Sequence, residues 1–264
     1  MQTRTYWNQY NLTFRDEVYG PARGGSIWQL CPISALTDPT VAHVFFDDFY
    51  NMASTKATAV PPWTIVEDDS ASGTDAVQDA AGGVYKHYCD SDDNDEAYLI
   101  SSSECWKFAA GKSLWLEARM AITQGGTNKA NWAMGLSDAA GADMIQNNGA
   151  GPAASYDGAV FYGVEGSLTY GFETSNAGTQ VTTAPASGWT SVSATMMNLG
   201  FWFKSESASD TVAYITPYVN SVAGTPHAIT ISGLEEMHFF VGVKADGTAE
   251  ESFSIDYVKI VQIR

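Results

Sequence analysis

From His43 onward, apolar residues recur in short runs separated by Gly, Pro, Asn, Asp and Ser. HVFFDDF opens the series, and PPWTIVE, AGGVYKHY and EAYLIS follow. SLWLEARMAIT alternates with period two. Leu114, Leu116, Ala118, Met120 and Ile122 share one face, and Trp115, Glu117 and Arg119 share the other. NWAMGLS, DGAVFYGV, SLTYGFETS, NLGFWFKS, TVAYITPYV, HAITIS and MHFFVGVKA continue the pattern. Glu165-Gly166 reads as a tight turn between two of these strands. SFSIDYVKIVQIR is apolar on both faces, as a strand inside a sheet must be. About a dozen short strands without a convincing amphipathic helix predict an all-β fold, a two-sheet antiparallel sandwich or a barrel. Ala139–Ala154 and Ala177–Ser191 read as long surface loops.

Residues 1–42 follow neither period and are broken by Gly20, Pro21, Gly24, Gly25, Pro32 and Pro39. Trp7, Tyr10, Phe14 and Trp28 are too apolar for a solvated tail. The chain thus divides into an extended N-terminal arm, 1–42, and a sandwich domain, 43–264. Burying one large side chain is worth about 1.5–3 kcal/mol, and fixing each backbone residue costs about 1–2 kcal/mol. The arm therefore needs a surface to lie on.

Charge sharpens this division. The chain carries 13 Lys and Arg against 30 Asp and Glu, a net −17. Arg4, Arg15 and Arg23 balance Asp16, Glu17 and Asp38, so the whole excess lies in 43–264. Such acidity repels phosphate backbones and anionic membranes, so neither nucleic acid nor a membrane is an expected partner. Cys31, Cys89 and Cys105 have no metal-ligand spacing and read as small buried thiols. The opening MQTRTYWNQYNL has no apolar stretch of the signal-peptide kind.

FFDDF, the GGV turn, DDNDEAYL, LWLEARM, NWAMGLSD, DGAVFY and the terminal SFSIDYVKIVQ occur in an order that resembles concanavalin A-like sandwich domains. The combination is most similar to the jelly roll of tailed-bacteriophage virion proteins, and it covers about 43–264. That resemblance implies a structural protein that decorates the outside of a phage head. It would be made in the host cytoplasm, would bind the major capsid protein or other virion subunits, and would self-associate as a dimer or trimer. Trp7, Tyr10, Phe14, Arg15, Arg23 and Trp28 would anchor the arm. The alternative is a lectin-like carbohydrate-binding module of a fibre or receptor-binding protein.

Candidate chemistry is sparse. Sandwich hydrolases of the glucanase type carry paired carboxylates on one strand face, and no such strand occurs here. Glu117 has Arg119 as its same-face neighbour, and Glu235 and Glu236 are adjacent. No enzyme is expected. Asp90, Asp92 and Asn94 have the spacing of a calcium loop, with Asp95 beside them. The Gly and Glu that complete an EF-hand are replaced by Asp95 and Ser101. No cofactor is expected unless those four residues hold calcium; the bland reading is a solvated acidic turn. Trp115, Trp132 and Trp202 could stack on sugars, but their strands favour packing between the sheets or under the arm.

Overall fold

A computed structural model describes residues 26–52, 59–67, 76–78, 82–126, 130–183, 189–247 and 249–264. The arm residues Trp7, Tyr10, Phe14, Arg15 and Arg23 lie outside the described residues. The strands in chain order are β1 (Ala42–Asp47), β2 (Ala59–Val60), β3 (Trp63–Glu67), β4 (Ala76–Gln78), β5 (Val84–Tyr88) and β6 (Glu96–Ser101). Then come β7 (Leu114–Thr123), β8 (Asn131–Ser137), β9 (Gly158–Gly163), β10 (Tyr170–Asn176), β11 (Thr179–Thr183) and β12 (Met197–Lys204). β13 (Val212–Val219), β14 (Val222–Ala223), β15 (His227–Thr230), β16 (His238–Lys244) and β17 (Ser252–Ile263) complete the series. A 3₁₀ turn (Ile27–Leu30) and a short helix α1 (Ile33–Thr37) precede them.

The strands form two sheets, antiparallel throughout. The first runs β14-β13-β12-β7-β17-β5-β4, with β1 also on β17 and β15 also on β13. The second runs β11-β10-β9-β8-β16-β6-β3-β2. The sandwich expectation holds, and the last strand is the hub that its two-sided pattern implied. β17 pairs with β7 along one edge; on the other, β5 takes its first half and β1 its second. A bulge between Ile255 and Tyr257 separates the halves and frees Asp256 to pair with Arg119 across the strands.

The core is the interdigitation of the two inner faces. Leu114, Leu116, Ala118, Met120 and Ile122 all point inward, as their alternation predicts. They meet Trp132, Met134, Phe172, Phe239 and Val241 from the second sheet. β6 and β8 are buried at every position, so their outward residues must also be covered.

Two coverings do this. On the first sheet, the 3₁₀ turn and α1 place Ile27, Cys31 and Ala35 on Trp115, Tyr218 and Val261. Trp28 lies in the same layer: its indole N–H donates to Glu117 Oε1 at 3.0 Å and its ring lies under Lys259 Nζ. The described part of the arm thus packs on its own sandwich. Trp115 and Trp202 lie under it, stacked 6.4 Å apart, and Trp132 lies between the sheets.

On the second sheet, the segment 138–157 departs from the surface loop expected of it. Met144, Ile145 and Tyr156 are buried on Tyr98, Ala133, Val160 and Phe240. Its ends are tied where the Asp157 amide donates to Asp138 Oδ1 at 2.7 Å. Its middle is clamped at the far end of the sheet. Lys244 Nζ donates to Glu96 Oε2 and to the Ile145 carbonyl, each at 3.0 Å. The Tyr98 hydroxyl donates to Glu96 Oε2 at 2.8 Å, and the Ile145 amide donates to that hydroxyl at 3.1 Å. The Asp143 amide donates to Glu96 Oε1 at 2.9 Å. Gly242 makes this possible: a Cβ there would sit 2.2 Å from the Tyr98 ring.

Glu96 and Lys244 are both almost fully buried. Removing one member of such a pair leaves an uncompensated charge and costs about 3–5 kcal/mol. Lys244→Ala should therefore lower unfolding free energy by that amount in urea titration. It should also open the 138–157 segment to proteolysis, while a paired Glu96→Leu, Lys244→Met variant should recover most of the loss.

Candidate functional site

With part of each outer sheet face covered, the described surface retains a groove of about 380 Å³ at one side of the sandwich. There the β10–β11 hairpin faces the edge strand β15 of the other sheet. Thr174, Asn176, Thr179 and Val181 line one wall, and Ala228, Thr230 and Ser232 line the other. β11 was missed in the sequence, because TQVTT, four-fifths exposed, has no apolar face to betray it. It was read as part of the Ala177–Ser191 loop.

The hairpin register explains the first wall. Thr174 pairs with Val181 and Asn176 with Thr179, so the four side chains share the inner face. The second wall comes from strand parity. The Ile231 amide donates to the Thr211 carbonyl, so odd positions of β15 bond β13 and even positions aim at the groove. Backbone groups of Ala228 and Thr230 therefore face the opening. Asn176 bridges the walls: its Nδ2 donates to the Thr230 carbonyl at 2.8 Å and the Ser232 carbonyl at 3.1 Å.

His227 ties the floor. It is buried against Phe172, with Nε2 2.6 Å from Thr183 Oγ1 and Nδ1 3.2 Å from Thr174 Oγ1. Among the described residues no charged side chain lines the groove, in a protein of net charge −17. Its chemistry is that of hydroxyls, one carboxamide, backbone amides and small apolar patches. It offers neutral hydrogen bonding.

The other candidates fall elsewhere. The acidic turn is zipped onto the segment after β16: the Asn94 amide donates to the Ala245 carbonyl, and the Ala245 amide returns a bond to Asp95 O. Asp90 Oδ1 accepts from the Ser91 amide, and Asp93 Oδ1 accepts from the Gly247 amide. Asp92 accepts through its backbone carbonyl from the Asp95 amide. Asp90, Asp92, Asn94 and Asp95 are thus laid along a turn that closes on residues 245–247. Among the described residues no group of three or more His, Cys, Asp or Glu is placed to hold a metal ion. Cys31 and Cys89 are buried, with thiols pushed up to about 12 by burial, whereas Cys105 is exposed, contrary to expectation.

No protein-family model matches this sequence, and no curated protein matches it significantly. Solved structures do match in shape. An endo-1,3-beta-glucanase from Streptomyces sioyaensis aligns with TM-score 0.57 at 13% identity, over 85% of this chain and 97% of that one. The carbohydrate recognition domain of Emp47p aligns with TM-score 0.54 at 13% identity, over 85% and 98%. A Shewanella oneidensis MR-1 protein of unknown function aligns with TM-score 0.54 at 12% identity, over 85% and 87%. At these identities the likeness shows the fold alone. The chain is an all-β sandwich of the concanavalin A-like jelly-roll class, the class of lectin domains and glucanases.

Burial holds the His227 imidazole below the ordinary value of 6.5, and burial followed by the Arg264 charge does the same for His43. Below that pH the unfolded chain binds more protons than the folded one, so stability falls as pH drops toward the folded values. Melting temperature should decrease between about pH 7.5 and about pH 6, and His227→Gln should flatten the slope. The raised carboxyl of buried Glu173 acts with opposite sign, in the more acidic carboxylate range.

Proposed function

We propose that this protein is a non-catalytic carbohydrate-binding module whose ligand is a neutral glycan seated between β11 and β15. The observation that carries this reading is the uncharged, hydroxyl- and amide-lined groove on a strongly acidic chain. A sugar presents alternating donors and acceptors and small apolar faces, and those walls offer the complement. The likeness of fold to a carbohydrate recognition domain supports the reading without carrying it.

The absence of a catalytic role is supported by carboxylate placement. Glu96 on β6 and Glu173 on β10 are buried on the same outer face of one sheet. Four strand-to-strand steps separate them along β6-β16-β8-β9-β10. At ~4.8 Å per step that is ~19 Å, beyond the ~5–9.5 Å that glycan hydrolysis uses. Asp143 approaches Glu96 through Lys244, but Glu96 is sealed beneath the loop and committed to three donors. Incubation with a β-1,3-glucan should release no reducing sugar; release abolished by an Asp-to-Asn or Glu-to-Gln change would contradict this.

Binding itself is tested on an array of neutral and acidic glycans. Neutral glycans should be retained, and Thr179→Arg, which fills the groove from an exposed position, should abolish retention without lowering the melting temperature. No retention above background, or retention that survives Thr179→Arg, would defeat the reading.

A second reading is a virion decoration subunit, in which the arm residues attach the domain to a capsid shell. It is favoured by the exposed apolar residues Val44 and Phe46 on the side of the sheet where the described part of the arm lies. The descriptions of the matched structures name a glucanase, a carbohydrate recognition domain and a protein of unknown function, so the sequence resemblance and this surface are its support.

A further inference from the structure

Among the described residues, the strand β1 has one partnered edge and one open edge. It pairs with β17 over Ala42–Asp47 and with no other named strand. The Arg264 amide donates to the Val41 carbonyl at 2.9 Å, which marks that opposed pair as hydrogen-bonded. Alternation then assigns His43 and Phe45 to β17, and turns the backbone groups of Ala42, Val44 and Phe46 away from it. Ile263 confirms the parity from the other side, since its amide donates to the Ser113 carbonyl rather than to β1. The Ala42 amide is taken by the Asp38 carbonyl; its own carbonyl stays directed outward.

The side chains on this strand are unusual for an open edge. AHVFFD carries no Lys, Pro or bulge to discourage pairing. Val44 is 45% exposed and Phe46 is 58% exposed, both on the outer face. At the other end of the same strand lies a cavity of about 340 Å³, lined by Leu36, Pro39, Ala42 and Val44 on its apolar side and by polar groups that include Asp38 and Arg264.

We propose that β1 is a self-association surface, and that its partner is β1 of a second copy, antiparallel about a twofold axis at Val44. Three constraints select one register. Only Ala42, Val44 and Phe46 present backbone groups to a partner. Opposed residues in a continuous sheet must share a face, so outward residues oppose outward residues. A twofold axis requires each contact to be reciprocal. The register that meets all three sets Val44 opposite Val44 of the second copy, and Phe46 opposite its Ala42. Phe46 of each copy then enters the cavity beside Ala42 of the other, where Leu36, Pro39 and Val44 supply an apolar wall and Arg264 a cation for the ring. The protruding side chain and the hollow lie equally far from the axis on one strand. This inference is independent of the glycan groove, which lies at another edge of the sandwich.

The test uses the full chain and five substitutions. Light scattering during size exclusion should give a dimer for the parent protein. Phe46→Lys should raise the dissociation constant at least about a hundredfold, because a buried ring is lost in both copies. Tyr214→Lys, at an exposed outward position of β13, should leave it unchanged. The opposed valines would have Cα atoms about 5.5 Å apart, within disulfide reach. In a Cys105→Ser background, Val44→Cys should therefore form a covalent dimer under mild oxidation, and Val212→Cys should not. A monomeric parent, a trimer, a dimer indifferent to Phe46→Lys, or a Val44→Cys chain that stays uncrosslinked would each overturn the proposal.

Discussion

Two sheets have four faces, and stacking them buries only two. The rest of this structure follows from the apolar side chains left on the other two. Trp115, Trp202, Val261 and Ile263 point outward from the first sheet, and Tyr98, Ile100, Val160 and Phe240 from the second. Large side chains left in water would each forgo about 1.5–3 kcal/mol. The chain covers them with material from outside the strands: the 3₁₀ turn and α1 on one side, the 138–157 segment on the other. The second covering is held by charge as well as by burial, through Lys244, Glu96 and Tyr98. A buried ion pair is a costly device for stability alone. Here its donors and acceptors reach the loop backbone, and so fix one position of the loop on the sheet.

That covering has a functional consequence. The outer faces where a sandwich could open a broad cleft are occupied by the protein's own side chains. Among the described residues, two of the open features lie at the margins: the groove between β11 and β15, and the free edge of β1. The groove is neutral because the acidic residues lie elsewhere, many of them in turns such as Asp90–Asp95. Its floor is stiffened by His227 and its mouth by Asn176, which tie the two sheets where no continuous backbone ladder joins them.

Much of the scaffold was legible in the sequence, for a physical reason. LWLEARMAIT and NLGFWFKS alternate because one face meets the core, and both place their residues where the alternation says. SFSIDYVKIVQIR carries apolar residues on both faces, Phe253, Ile255, Val258 and Ile260 inward and Val261 and Ile263 outward, because neighbours flank it on both edges and both faces carry contacts. The site was not legible. β11 is a polar edge hairpin without a period, and β15 lies about fifty residues further along, so the groove exists only as a long-range meeting of edges. Met144, Ile145 and Tyr156 are too few and too irregularly spaced within a Gly- and Ala-rich stretch to reveal that it covers a sheet. The spacing of Asp90, Asp92 and Asn94 is visible in the sequence, but what that turn folds against is not. This loop zips onto residues 245–247.

The central claim is that recognition happens at the margin between the sheets and not on their faces. Amide and methyl chemical-shift mapping during titration with a neutral oligosaccharide tests it most directly. Shifts confined to Thr174, Thr179, Val181, Ala228 and Thr230 would agree with the account. Shifts centred on Tyr98, Val160 and Tyr162, or on Trp115 and Trp202, would mean that a covering lifts to admit the ligand, and would contradict it.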